Sequence, residues 1–155
     1  MKKIKTLLLL FSIVALGLTS CKKDSETTAE ANAALTVKVN GTAKSSTGPV
    51  VATIYQSEKT LQILGQFSTT EGVSIMIQDF KVGEFNVATD DVLVVYTNGT
   101  TGSLSTTFMG DTGKVKITSI TDTKVTGTFE FVGSNDSEQT KTLTEGKFEA
   151  SIVKI

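Results

Sequence analysis

Three sets of residues in this 155-residue chain are of types and spacings that could do chemistry. Asp111-Thr112-Gly113 is an Asp-Thr-Gly triplet, which can supply one carboxylate of a proton-sharing pair that activates water for hydrolysis. That chemistry needs two such carboxylates, so a single copy would work only across a homodimer. Gly110 also stands where an aliphatic residue is expected. A hairpin turn is the better reading. Asp90-Asp91 places two adjacent carboxylates before a strand, where they could offer oxygens to Ca²⁺ with Asp111, Asp122 or Asp136 as partners. No EF-hand or Asp-x-Asp spacing accompanies them, so a solvated turn is the main expectation and Asp90 and Asp91 are weak metal candidates. Third is Cys21, the only cysteine, set between an oily run and a charged one.

The absences limit function more. The chain has no His, no Arg and no Trp. A Ser-His-Asp or Cys-His nucleophile system is excluded, as is a zinc site of Cys and His. Without Arg there is no planar fork for bidentate phosphate recognition. With no basic surplus either, nucleic acid is not an expected partner. A pair of acids for glycoside hydrolysis needs a cleft and a set separation, which sequence does not test. No cofactor is implied, and the expectation is that the chain is not an enzyme.

The elements that would position such residues begin with the N-terminus. Met1-Lys2-Lys3-Ile4-Lys5 is a basic leader, and Leu7 to Leu18 is an apolar run interrupted only by Ser12 and Gly17. Twelve helical residues span about 18 Å, short of the ~30 Å hydrocarbon core. A charged start, a short oily core and small residues describe a secretory signal. Leu18-Thr19-Ser20-Cys21 resembles the lipobox of bacterial lipoproteins. The resemblance implies a signal peptide over residues 1–20, cleavage between Ser20 and Cys21, and a diacylglycerol on the Cys21 thiol. Two or more lipid chains, at about 0.8 kcal/mol per buried CH₂, anchor a protein stably to a membrane. Lys22-Lys23-Asp24-Ser25-Glu26 follows. It looks like the export tag of Bacteroidota lipoproteins, which implies an outer-membrane lipoprotein at the cell surface, with a periplasm-facing site as the alternative. Loss of residues 1–20 would leave 12 Lys against 16 Asp plus Glu, a formal side-chain charge of −4.

Residues 21–33 read as the lipidated Cys followed by a polar, flexible linker. From Ala34 onward the hydrophobic period is two. Leu35-Val37-Val39 alternates with Thr36 and Lys38, Val50-Ala52-Ile54 with Val51, Thr53 and Tyr55, Leu61-Ile63-Gly65-Phe67 with Gln62, Leu64 and Gln66, and Val73-Ile75-Ile77 with Ser74, Met76 and Gln78. Further strands are expected at 92–96, 104–109, 115–117, 125–132, 140–144 and 148–153. Val92 to Val95 is apolar on both faces, which suggests a central strand. Asn40-Gly41 and Asn98-Gly99 are the strongest type I′ turn signals, and the N-x-[ST] triplets at Asn40, Asn98 and Asn135 read as turns. Gly127 within a strand suggests a bulge or a close backbone approach. Phe129, Phe131 and Phe148 are expected in the core, with Glu130 outside. The prediction for residues 34–155 is a single all-β domain of about nine to ten strands, an antiparallel β-sandwich or an up-and-down β-barrel.

Val39-Asn40-Gly41-Thr42, Gly113 to Thr118, Val125-Thr126-Gly127-Thr128-Phe129-Glu130-Phe131 and Leu143 to Phe148 together resemble small Bacteroidota lipoproteins carrying a domain of unknown function. The resemblance implies an all-β envelope domain and supplies no reaction. The expected function is a non-catalytic, lipid-anchored module that presents its β-domain to a protein, glycan or envelope partner. The alternatives are a lipocalin-like carrier of a small apolar ligand and a hydrolase using carboxylates alone.

Overall fold

The computed structural model describes residues 34–100 and 102–155. The signal peptide expected over residues 1–20, Cys21 and the linker expected up to residue 33 therefore lie outside the described residues. Ten strands follow in order: β1 (Ala34–Val39), β2 (Thr42–Ser45), β3 (Val51–Tyr55), β4 (Thr60–Gln66), β5 (Glu71–Gln78), β6 (Gly83–Asn86), β7 (Val92–Asn98), β8 (Thr107–Ile120), β9 (Lys124–Ser134) and β10 (Thr140–Lys154). A 3₁₀ turn, Leu104–Thr106, precedes β8. The all-β expectation holds.

The architecture is a closed ring of seven strands, β3-β4-β5-β7-β8-β9-β10, with β1-β2 added beside β10 and β6 added beside β8. It is a barrel, yet not an up-and-down one. The ring closes through a parallel pairing of β10 with β3, Ser151 opposite Val51, while the other ring pairings are antiparallel. The cause is strand stagger. The cross-strand row Val51, Leu64, Ser74, Val95, Met109, Ser134 returns to β10 at Thr140, not at Ser151. A barrel closes only with such an offset. β10 is long enough to meet β9 with most of its length, β1 with its middle and β3 with its C-terminal end.

Two expected pairs of strands are single bent strands. Asp111-Thr112-Gly113 is not a hairpin turn: β8 continues through it and bends at a bulge between Gly110 and Thr112. This bend lets β8 leave β7 after Met109 and pair with β6 from Lys114. A second bulge, between Leu143 and Gly146, lies within β10, where Glu145 has φ 56°. Asn40-Gly41 does form the tight β1–β2 turn, with φ 47° and 82°. Asn98-Gly99 does not form a two-residue hairpin, because β7 and β8 are joined by a longer loop that contains the 3₁₀ turn. Asn135 shapes the β9–β10 turn: its Oδ1 accepts from the Ser137 and Gln139 amides, and its Nδ2 donates to the Ser105 carbonyl at 2.7 Å.

The ring interior is occupied. Leu61, Ile63, Ile75, Ile77, Val94, Tyr96, Phe108, Val115, Ile117, Val125, Phe129, Phe131, Leu143 and Phe148 are all buried there. This follows from strand alternation, and a barrel of this strand number is just wide enough for side chains to fill. Phe129 lies 6.5 Å, centroid to centroid, from both Phe131 and Phe148. Gly127 sits where a β-carbon would meet the Lys116 carbonyl and the Phe148 ring, a close approach as its position suggested.

Candidate binding face

The sequence candidates do not assemble into a centre. Asp90 closes its own loop, its carboxylate accepting from the Asn86 amide at 2.6 Å. Asp91 accepts from the Gln78 amide through its main-chain carbonyl. Asp122 faces Lys154 at 3.7 Å and Asp136 accepts from the Ser137 hydroxyl. Among the described residues no group of three or more acids, Cys or His is placed to hold a metal ion. Glu130 is exposed on β9, as alternation required.

One carboxylate is largely withdrawn from solvent. Glu71, at the start of β5, shares the inward parity of Val73 and is 12% exposed. It accepts from the Tyr96 hydroxyl at 2.6 Å and from the Lys44 ammonium at 3.0 Å. Beyond Tyr96 the Phe108 ring follows at 5.9 Å, with the Lys141 ammonium 5.5 Å from that ring's centroid. The cluster plugs one end of the ring and ties β2 to β5. Burial, then the hydrogen bond to Glu71 and its negative charge, push the Tyr96 phenol well above its ordinary pKa. The neutral phenol is the form the fold stabilises. Its contribution is complete below pH about 10, the unfolded tyrosine value, and is lost as pH rises through the raised folded value. Urea unfolding from pH 8 to 11 should show stability falling above about pH 10, and Tyr96→Phe should flatten that fall.

The outer surface divides by charge. On one side, β6, β8, β9, β10 and β1 present interleaved charges of both signs. Lys114 pairs with Glu84 at 2.8 Å, Lys38 with Glu145 at 2.7 Å and Lys124 with Glu149 at 3.0 Å. The hydrogen bond from Lys114, reinforced by its charge, holds the Glu84 carboxyl below the usual range. On the other side, the outward positions are Val51, Thr53 and Tyr55 on β3, Gln62, Leu64 and Gln66 on β4, Gly72, Ser74, Met76 and Gln78 on β5, and Leu93, Val95 and Thr97 on β7. None is charged. Met109, the neighbour of Val95 on β8, continues the same row.

This face is apolar as well as uncharged. Leu64 is 44% exposed, Leu93 41% and Met109 50%. A groove of about 360 Å³ opens at its edge, bounded by Pro49, Val51, Leu64, Gln66, Ser74 and Thr97, with the largely buried Glu71 also in its lining. Gly72 also lines the groove and lies close against β4, where a β-carbon would meet the Gly65 carbonyl oxygen at 2.8 Å. A wider depression of 650 Å³ lies at the other end of β3, rimmed by the Asp122–Lys154 pair. Sequence reading missed the uncharged face because each Thr, Ser and Gln was read singly as a strand's solvent side. The signal was present as charge-free runs, 45–57, 60–70, 72–78 and 92–110.

The fold and this face define a filled β-barrel with one uncharged flank, whose acids are dispersed or paired. The chain belongs to a family described as a domain of unknown function (DUF6252), whose profile matches residues 25–150. This agrees with the expected domain of unknown function. No curated protein and no solved structure matches the chain.

Proposed function

We propose that this protein is a non-catalytic module, held to the bacterial outer membrane by lipid on Cys21, that binds an uncharged protein surface through the outer face of β3, β4, β5 and β7. The uncharged flank carries the reading. A surface that only meets solvent gains from interspersed charge, as the opposite flank has. Interface centres are instead depleted in Lys, Glu and Asp and enriched in Met and aromatic residues. Exposed Leu64, Leu93 and Met109 supply the apolar area, and Gln62, Gln66 and Thr97 supply donors and acceptors around it. The occupied interior favours binding outside the barrel over a lipocalin-like cargo within it. Engagement of Glu71 by Lys44 and Tyr96 favours a structural carboxylate over a general acid. The lipobox-like residues 18–21 and the acidic-basic segment after them support a surface-facing anchor. A linker of twelve residues can extend roughly 40 Å, enough to stand the barrel clear of lipid head groups.

Two measurements in the native cell test this. Cys21→Ser should lose fatty-acid labelling and membrane retention; continued labelling would refute the anchor. A photo-crosslinking residue at Leu64 should give protein adducts in the envelope, and one at Thr128, exposed on the charged flank, should give few. Equal yields at both positions would refute the binding face.

A further inference from the structure

We infer that the surface which occupies this face is a second copy of the same chain; the inference rests on the binding face proposed above and names its partner. The first argument is charge. A two-fold contact sets each patch against itself, so a charge near the axis meets its own sign. Among the described residues, the flank of β3, β4, β5 and β7 is where a copy can approach without that opposition. The Lys114, Lys116, Glu130 and Lys147 flank is not.

Relief supplies the second argument. Leu64, Ser74, Val95 and Met109 form one cross-strand row. Its Leu64–Ser74 end borders the groove, which both residues line. Its other end is a protruding methionine. Ser74 and Met109 each lie one strand spacing, about 4.8 Å, from Val95 on opposite sides. A two-fold axis running along β7 above Val95 therefore lays Met109 of each copy over Ser74 of the other. Each protrusion meets the other's groove, and Val95 meets Val95. Methionine is unbranched and adapts to such a groove. Because the outer face of a barrel is convex, contact is confined to a strip, at the small end of specific interfaces, below about 1,200 Å². The pairing is weak in dilute solution and forms where tethered copies share a membrane and their effective concentration is high.

Disulfide trapping of the full chain in its native membranes tests this. The parent chain, with Cys21 as its only cysteine, gives the background. Under mild oxidation Val95→Cys should give about tenfold more covalent dimer than Thr128→Cys, an exposed control on the charged flank. Adding Met109→Glu, at an exposed position the fold tolerates, should return Val95→Cys to background. Equal yields from Val95→Cys and Thr128→Cys would overturn self-pairing, and an unchanged yield with Met109→Glu would overturn the methionine-in-groove contact. If self-pairing fails while Leu64 still gives adducts to other proteins, the binding face stands with a different occupant. If both fail, the face itself is refuted.

Discussion

Gly113→Ala destabilises the domain by about 4 kcal/mol, adding left-handed backbone strain to a steric clash. Gly113 has φ 144°. A β-carbon there would meet the Glu130 carbonyl, which belongs to the neighbouring strand's main chain and cannot rotate away. Relief requires β8 and β9 to separate at the place where β8 bends from β7 towards β6. Domains of this size are stable by only about 5–15 kcal/mol, so a large share of the total is lost. Urea denaturation should show a much lower midpoint with an unchanged slope. A loss under about 0.5 kcal/mol, typical of surface substitutions, would mean that the bulge does not need glycine.

Phe129→Ala costs about 4 kcal/mol, within the usual range for removing a buried aromatic ring. The ring sits between Phe131 and Phe148, and Gly146 opposite it leaves the space that the ring fills. Its strand is paired on both sides, with Val115 on β8 and Gly146 on β10. Neither neighbour can move in to close the cavity without breaking ladder hydrogen bonds. Glu130→Ala, one residue along and exposed, serves as the control and should change stability by under about 0.5 kcal/mol. Equal effects at 129 and 130 would contradict the inside–outside assignment of β9.

That assignment was readable from sequence because alternation is a local property. Phe129 and Phe131 share parity, Glu130 lies between them, and any strand in this segment must sort them to opposite faces. The same reasoning located the cores of β1, β3, β4 and β5. It was less secure where both parities are apolar. Val92 to Val95 lies within the ring as expected, yet Leu93 faces out on the uncharged flank. Four-residue β2 and β6 were missed, since Thr42-Ala43-Lys44-Ser45 has no apolar alternation and Phe85 alone marks β6. Bulges broke the period in β8 and β10, so one strand read as two. Parallel closure of β10 on β3 depends on accumulated stagger around seven strands, which no short window contains.

The binding face was hidden for a related reason. Glu71 interrupts the charge-free runs, and the inward parity of β5 turns its carboxylate towards Tyr96 and leaves it 12% exposed at the edge of the groove. Gln62, Ser74, Leu93 and Val95 lie far apart in sequence and meet only through the registers of β4, β5 and β7. Lys44 likewise reaches Glu71 only once β2 has folded back against β1. A face built this way is a property of the sheet and not of a motif, which is why no catalytic or metal signature accompanies it.

Methionine oxidation offers the most direct test of the face. Met76 and Met109 both lie on it, and the chain's remaining methionine is Met1. Brief oxidative footprinting, read by mass spectrometry, compares the full chain in the intact envelope with the same chain purified and dilute. Slower oxidation of Met109 in the envelope, by about fivefold or more, is the expected result for a side chain covered by a partner. Equal oxidation of Met109 in both states would show that the face is bare where the protein works, and the binding-module account would fall.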